Sequence, residues 1–200
     1  MIKICGLSRV DDIDVVNRML PEFIGFVFAS SRRKVDIKTA AMLKKKLNPR
    51  IKAVGVFVND AISTIAEIYK NGIIDLVQLH GDENDEYIRC IKNICGCQVI
   101  KAIGIRNVLP PIPISPDYLL FDTKSEQRGG AGRTFDWNVL NEYRGMPFFL
   151  SGGLSPENVV DSIHMLAPYC VDVSSGVETD GVKDAGKIEK FINTVRGIKL

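Results

Sequence analysis

Two side chains in this sequence have the chemistry needed to move protons, the thiol of Cys5 and the carboxyl group of Asp122. Each closes or directly follows a short apolar run. If the fold places them on opposite sides of a bound molecule, one can remove a proton while the other delivers one. A free thiol has a pKa near ~8.5, so little of it is thiolate at neutral pH unless its surroundings lower that value. Considered singly, Cys5 could be a small buried side chain, and Asp122 could be a helix cap or a partner for Lys124.

Two glycine-containing turns near the end of the chain could hold a phosphate group. They are Ser151-Gly152-Gly153 and Ser174-Ser175-Gly176, and each follows an apolar run. Glycine lets the backbone N–H groups approach an anion closely because it has no Cβ, and the second turn could open a short extra helix. Two ordinary glycine turns are the alternative, but their occurrence after consecutive strands favours a phosphate site.

Other polar residues could complete such a site. Arg32 and Arg33 follow an apolar run, and either guanidinium could bind a carboxylate with two hydrogen bonds. Both could also be solvated loop charges. Gln78 and His80 lie at another strand end, where His80 could contact a ligand, whereas His164 falls within an amphipathic segment and is expected to be structural. The glycine-rich stretch 127–133 could be a lid over the site or a flexible connector.

The elements that must position these residues alternate between two types. Most of the strand-like runs are continuously apolar, as in parallel strands that are buried on both faces. Eight such runs occur: Ile2–Cys5, Phe23–Phe28, Ile51–Val58, Ile74–Leu79, Gln98–Ala102, Tyr118–Phe121, Pro147–Leu150 and Cys170–Val173. Segments with helical periodicity separate most of them: Val10–Leu20, Ile37–Leu47, Ala61–Lys70, Asn84–Ile94, Asp136–Tyr143, Pro156–Leu166 and Ala185–Val195.

This alternation predicts an α/β fold, a single (β/α)8 TIM barrel over residues 1–200. Eight short units, with no G-x-G-x-x-G after the first strand, favour the closed barrel over an open doubly wound sheet. In such a barrel the carboxyl ends of the strands line the active site, so the polar residues named above are expected to converge. Helix starts are expected at Ser155-Pro156-Glu157 and after Asn59-Asp60. Four prolines between residues 110 and 116 predict that the fifth helix is missing or degraded.

Composition excludes several other classes of protein. The net charge of +2 is too small to indicate a nucleic-acid partner, and the basic run at 44–46 is typical of a solvated helix face. No apolar stretch is long enough to span a membrane, and the N-terminus does not resemble a secretory signal. Five cysteines then favour a reduced, cytoplasmic chain. The spacing of Cys90, Cys95 and Cys97 does not match a familiar zinc site, so buried or partly buried thiols are the preferred interpretation and no metal is predicted.

Beyond these physical patterns, the sequence resembles phosphoribosylanthranilate isomerases of tryptophan biosynthesis from end to end. The resemblance rests on blocks in the same order: KICG at 3–6, GFVF at 25–28, SRRKV at 31–35, VGVFVN at 54–59, VQLHG at 77–81, FDTK at 121–124, GGAGRTFDW at 129–137, LSGGLSPENV at 150–159, VDVSSGVE at 171–178 and GVKD at 181–184. Several blocks are six or more residues long, so chance is a poor explanation.

The resemblance implies a barrel enzyme that needs neither metal nor cofactor and rearranges N-(5-phosphoribosyl)anthranilate into 1-(2-carboxyphenylamino)-1-deoxyribulose 5-phosphate. By the same resemblance, Cys5 is the general base and Asp122 the general acid. Arg33, favoured over Arg32 by its register with the following Lys-Val, binds the anthranilate carboxylate. The remaining implied contacts are Gln78 and His80 near the substrate and Gly152, Gly153, Ser174, Ser175 and Gly176 around the phosphate. The small-molecule phosphosugar is the only expected partner besides a second copy, since the chain is expected to be a monomer or homodimer.

Two alternatives stay open at this point. A related isomerase acting on an imidazole ribonucleotide would have paired aspartates at the ends of its first and fifth strands, whereas the first strand here ends in Cys5. A barrel that binds a phosphosugar without turnover would act as a sensor. Measured turnover separates both alternatives from the isomerase.

Overall fold

Eight parallel strands form a closed barrel in the computed structural model, which describes residues 1–123 and 134–198. The strands pair in sequence order, and the first strand closes the ring against the eighth. Their bounds are β1 Ile2–Cys5, β2 Phe23–Val27, β3 Lys52–Phe57, β4 Leu76–Leu79, β5 Gln98–Ile105, β6 Tyr118–Thr123, β7 Phe148–Leu150 and β8 Cys170–Val173. A small antiparallel ribbon, β9 Glu178–Thr179 and β10 Val182–Lys183, follows the barrel. The predicted (β/α)8 architecture is therefore confirmed.

Six α-helices surround the barrel in the described part of the chain. They are α1 Val10–Met19, α2 Ile37–Lys46, α3 Ile62–Lys70, α4 Asp85–Cys95, α5 Val159–Leu166 and α6 Ala185–Arg196. Their buried residues recur at helical spacing, for example Ile88 and Ile91 in α4, because one stripe of each helix packs on the barrel. No helix of the described residues is long and apolar enough to cross a membrane.

The fifth connection contains no helix between β5 and β6, as predicted from its prolines. This segment is instead held against α4. The carboxylate of Asp85 accepts hydrogen bonds from the N–H groups of Ile114 and Ser115 at 3.1 and 2.8 Å. Lys92 donates to the Ser115 carbonyl at 3.2 Å and to Asp117 at 2.8 Å. These bonds replace the missing helix by fixing an extended segment.

The sixth connection differs from the prediction of a helix over 136–143. The structure contains only a 3₁₀ turn, Trp137–Leu140, with i to i+3 bonds such as Tyr143 N–H to the Leu140 carbonyl at 3.0 Å. Asp136 accepts a hydrogen bond from Asn138 N–H at 3.0 Å, and the i to i+3 bonds tighten the segment into a 3₁₀ turn.

The start predicted for α5 is wrong, whereas α3 does begin after Asn59-Asp60 but has no polar cap. Helix α5 begins at Val159 with Asn158 as its N-cap, because residues 156–158 form a turn. Helix α3 begins at Ile62 with Ala61 as its N-cap, while Asn59 adopts a positive φ of 53° and its side chain accepts a bond from Asp82 N–H at 2.8 Å.

The interior of the barrel changes character along its axis. Its floor is an apolar cluster comprising Phe23, Val54, Leu76, Ile100, Ala102, Leu120, Phe149 and Cys170. Above the floor lies a buried ion pair, with Lys3 Nζ 2.9 Å from Asp172 Oδ2. Cys5, Val27 and Val56 form the next layer, at the carboxyl ends of their strands. Burying so many apolar side chains stabilises the wall, and the carboxyl ends of the strands lie where a ligand would enter.

Candidate active site

Cys5 ends β1 and lies at the inner wall of the barrel mouth. Its side chain packs with Val27 and Val56 and is 9% exposed. Gly25, its partner in β2, is the residue that makes room for it, because a Cβ at Gly25 would lie 2.7 Å from Cys5 Sγ. The thiol is therefore held in one place by the strand beside it.

The electrostatic surroundings of Cys5 combine opposite effects. Burial raises the pKa of the Cys5 thiol above its ordinary value, although the ammonium groups of Lys3 and Lys183 lower it. Asp172 acts in the same direction as burial. Burial would also lower the pKa of Lys3, but its pairing with Asp172 and its contact with Cys5 outweigh that effect, so the pKa of Lys3 lies above its ordinary value. Lys3 therefore stays protonated next to the thiol.

Asp122 lies three strands away from Cys5 around the barrel and faces His80. The two side chains approach to 3.3 Å between His80 Nε2 and Asp122 Oδ2, and both are partly exposed. Gln78 Nε2 lies 3.0 Å from His80 Nδ1. With Gln78 donating, His80 Nδ1 is an acceptor and its Nε2 carries the proton that points at Asp122. The three predicted residues Gln78, His80 and Asp122 thus form one connected row.

The two arginines after β2 occupy different environments. The side chain of Arg33 is 11% exposed, and its Cδ lies against Gly6 next to Cys5. The side chain of Arg32 is 55% exposed and lies near Gly181. Only Arg33 therefore borders the pocket around Cys5, which favours it over Arg32 as the carboxylate ligand.

The two glycine turns lie side by side at the mouth. Gly152 and Gly153 have φ values of +83° and +71°, which favour glycine. A Cβ at Gly152 would collide with Thr123, and one at Gly176 would collide with the carbonyl oxygen of Leu154. The close packing of Gly176 on Leu154 joins the turn after β8 to the turn after β7.

Side chains hold these two turns in place. Asn158 Nδ2 donates to the Gly153 carbonyl at 3.0 Å, and Ser174 Oγ donates to the Cys5 carbonyl at 3.1 Å. The extra helix suggested by the sequence is a single 3₁₀ turn, Ser175–Val177. Neither Gly152 nor Gly153 gives its N–H to another described residue, so both donors are available to an anion.

Other predicted features lie elsewhere. His164 is exposed on α5, away from the mouth. The proposed lid at 127–133 lies outside the described residues. The five cysteines are free thiols, and among residues 1–123 and 134–198 no three His, Cys, Asp or Glu side chains are grouped to hold a metal ion.

The sequence interpretation missed a set of buried charges at the site: Lys3, Asp172, Glu178 and Lys183. Two of them carried a visible signal, because Lys3 and Asp172 each interrupt an otherwise apolar strand. A charged residue in the middle of a buried strand requires a partner, and each is the other's partner.

Comparisons with known proteins match the sequence and the fold over nearly the whole chain. A family model described as N-(5'phosphoribosyl)anthranilate (PRA) isomerase matches residues 2–194. The N-(5'-phosphoribosyl)anthranilate isomerase of Endomicrobium trichonymphae is 45% identical over 198 residues, 98% of each chain. The enzyme of the same name from Caldanaerobacter subterraneus is 48% identical over 202 residues, again 98% of each chain.

Solved structures are similar over nearly the whole fold. Phosphoribosyl anthranilate isomerase from Thermus thermophilus superimposes with a TM-score of 0.87 at 26% identity, covering 99% of both chains. A phosphoribosyl anthranilate isomerase in complex with reduced 1-(o-carboxyphenylamino)-1-deoxyribulose 5-phosphate gives a TM-score of 0.83 at 33% identity, covering 98% of both chains. The chain belongs to the phosphoribosylanthranilate isomerase family.

Proposed function

We propose that Cys5 and Asp122 are the acid–base pair with which this chain isomerises N-(5-phosphoribosyl)anthranilate in tryptophan biosynthesis. The observation that carries the proposal is the sharing of one barrel mouth by a thiol, a carboxyl group, an arginine and two glycine turns. The substrate offers a matching set of groups: a sugar carbon that loses a proton, a ring oxygen that gains one, a carboxylate and a phosphate. One relative was solved with the reduced form of the product, which has the same two anionic ends.

The reaction begins with opening of the furanose ring in this scheme. Asp122 donates a proton to the ring oxygen, the bond from that oxygen to C1 breaks, and the nitrogen lone pair forms a C1–N double bond. His80 lies 3.3 Å from Asp122 and orients its carboxyl group, while Thr123 N–H donates to Asp122 Oδ1 at 2.7 Å. These two contacts, one on each carboxyl oxygen, fix the orientation of the Asp122 side chain.

Cys5 then acts as the base. Its thiolate removes the proton from C2, and the electrons of that C–H bond form the enolamine while the C1–N double bond becomes single. Tautomerisation moves a proton from the C2 hydroxyl to C1 and leaves the ketone, so the product has the same atoms as the substrate. Each positioned acid or base contributes a rate factor of about 10²–10⁴.

The remaining site residues hold the substrate between its two ends. Arg33 binds the anthranilate carboxylate, for which it has donors beyond the Nε and Nη2 that face Glu178. Gly152, Gly153, Ser174, Ser175 and Gly176 bind the phosphate through backbone N–H groups and hydroxyls. Gln78 holds the ring of His80 in place next to the substrate through the contact between Gln78 Nε2 and His80 Nδ1.

We further propose that residues 1–200 form one domain and that the enzyme works in the cytoplasm without a nucleic-acid partner. It is proposed to be a monomer or a homodimer. One solved relative, which covers 98% of this chain, consists of monomers generated from the dimeric phosphoribosylanthranilate isomerase of Thermotoga maritima. Its dimeric parent enzyme supports the homodimer.

The direct test is turnover by the purified protein. We expect conversion of N-(5-phosphoribosyl)anthranilate into the ribulose phosphate product, identified by mass-matched chromatography against an authentic standard. A folded protein that binds the substrate without converting it would be a sensor, and the proposal would be wrong.

A further inference from the structure

Glu178 is a buried carboxylate on which three cations converge. Arg33 binds it through two parallel bonds, Nε to Oε1 at 2.6 Å and Nη2 to Oε2 at 2.9 Å. Arg32 Nη2 donates to Oε2 at 2.7 Å, and Lys183 Nζ donates to Oε1 at 2.6 Å. The Glu178 side chain is only 4% exposed. Its orientation is therefore set by contacts on both oxygens.

Lys183 extends this network to the turn after β8. Its Nζ donates to the Ser174 carbonyl at 2.8 Å and lies 3.3 Å from Ser174 Oγ. The same Ser174 hydroxyl donates to the Cys5 carbonyl at 3.1 Å. A continuous chain of contacts thus runs from Arg33 through Glu178 and Lys183 to Ser174 and the end of β1.

The charges of the network do not cancel. One carboxylate faces three cations, which leaves a surplus of positive charge at the mouth. Burial would raise the pKa of Glu178, but bonds from Arg33 and Lys183 outweigh it and hold the pKa below its ordinary value. Glu178 is therefore ionised, and the surplus is available to the two anionic ends of a substrate.

We propose that Glu178 and Lys183 are positioning residues that set the separation between the carboxylate-binding Arg33 and the phosphate-binding turn at Ser174. This inference rests on the proposed function, since it assigns a purpose to the distance between those two binding points. Arg33 Nε and Nη2 are fully engaged by Glu178, so the guanidinium is held in one orientation before the substrate arrives. Pre-organisation of this kind strengthens binding because less side-chain entropy is lost on association.

A purely structural role is the competing explanation, because Glu178 and Lys183 are also directly paired across the β9–β10 ribbon. If the ion pair of Glu178 and Lys183 only held the two strands of the ribbon together, its removal would lower the stability of the fold. A positioning residue that acts through Arg33 would instead affect substrate binding, and its effect would depend on the presence of Arg33.

A double-mutant cycle separates the two roles. We expect E178Q and R33M each to raise KM for phosphoribosylanthranilate by about tenfold or more, with kcat within about threefold of wild type. The R33M/E178Q double variant is expected to have the KM of R33M alone. Additive effects on KM, or a kcat loss without a KM change, would overturn the proposal.

A control variant shows whether the loss of any buried glutamate has the same effect. Glu83 is a second buried glutamate, paired with Lys101 at 2.8 Å, so E83Q is the matched control and is expected to lower Tm with little change in KM.

K183M tests the other end of the network if E178Q does not fold. In this variant the Ki of inorganic phosphate as a competitive inhibitor is expected to rise about tenfold. An unchanged Ki in folded K183M would contradict the proposal. Absence of turnover in the wild type would contradict the proposed function instead.

Discussion

Cys5 lies next to a buried ion pair, whose cation lowers the pKa of the thiol and whose anion raises it. Lys3 is two residues earlier on the same strand and points to the same side of it. Asp172 binds Lys3 at 2.9 Å but leaves its Oδ1 without a partner among the described residues. Ion pairs as buried as this one contribute little net stability, so a role at the adjacent thiol is a reason to have one here.

The pH dependence of Cys5 follows from these charges. Since burial raises the pKa of the thiol and Lys3 opposes that shift, the thiolate fraction of Cys5 is expected to increase with pH through the alkaline side of neutrality. Removing the cation in K3M raises the pKa further and moves this increase to higher pH. Removing the anion in D172N lowers the pKa and moves it to lower pH.

Alkylation of Cys5 by iodoacetamide, followed by peptide mass spectrometry across a pH series, measures both shifts. We expect slower alkylation of Cys5 in K3M than in wild type at the same pH, and faster alkylation in D172N. Unfolding would accelerate alkylation in both variants, so it cannot imitate the decrease in K3M, and the rate in D172N is compared only where circular dichroism shows that this variant is folded. Equal rates in K3M and wild type would show that Lys3 does not act on the thiol.

Sequence reasoning singled out the residues that are proposed to react, but not the buried charges around them. Cys5, Asp122, Arg33 and the two glycine turns are recognisable from their places at strand ends and from the resemblance. Glu178 and Lys183 are not, because their meaning depends on contacts between distant residues: Arg33 and Glu178 are 145 positions apart. A local pattern contains no information on such a pair.

The site depends on how closely the two turns that follow strands β7 and β8 pack against each other. Gly176 touches the backbone of Leu154 with no space for a side chain. Asn158 holds the first turn through the Gly153 carbonyl. The proposed phosphate site is thus formed by two connections together.

Adding one methyl group at this contact is expected to separate the turns. In G176A the new Cβ would collide with the Leu154 carbonyl, so the backbone of one turn must move. We expect the Ki of inorganic phosphate to rise by about tenfold or more, with a loss of about 1–3 kcal/mol in the free energy of unfolding. Inhibition kinetics and urea denaturation measure the two effects.

G186A provides the comparison, because a Cβ at Gly186 in α6 meets only the Asp184 carboxylate at an ordinary 3.4 Å. It is expected to leave phosphate inhibition unchanged and to stabilise the helix slightly. If inorganic phosphate inhibits G176A with the same Ki as wild type, the packing of the two turns does not shape the proposed phosphate site.

The helices also show which features of the fold could be predicted from the sequence. Prolines 110, 111, 113 and 116 exclude a fifth helix by their covalent structure, and the prediction is confirmed. The predicted start of α5 is wrong because Ser155-Pro156 has the sequence of a helix cap. In the structure, the side chain of Asn158 closes a turn before the helix by accepting a hydrogen bond from Ser155 N–H at 2.9 Å. Competing caps a few residues apart are distinguished only by tertiary contacts.

At the scale of the whole molecule, the first and last parts of the chain complete the same wall. Strand β1 pairs with β8, and α6 packs beside α1, where Arg196 donates to the carbonyls of Met19 and Leu20 at 2.6 Å. The barrel is closed only when both ends are in place. The count and order of the strands were predictable from eight apolar runs. The pairing of β1 with β8, which closes the barrel, is seen only in the structure.

Closure predicts cooperative unfolding of the proposed single domain. We expect one equilibrium transition in urea, with the same midpoint for circular dichroism and for the fluorescence of Trp137, the sole tryptophan. The two probes report on the helices and on the sixth connection. Separate midpoints would indicate that part of the barrel unfolds independently.

Cys5 and Asp122 are proposed to perform the proton transfers of the isomerisation. Steady-state turnover of phosphoribosylanthranilate by wild type, C5A and D122N is the most direct test of this proposal, with Tm measured for each protein. We expect kcat to fall by at least about 10²-fold in each variant while Tm stays close to that of wild type. Turnover by folded C5A or D122N within a few-fold of wild type would contradict the account and place the base or the acid elsewhere.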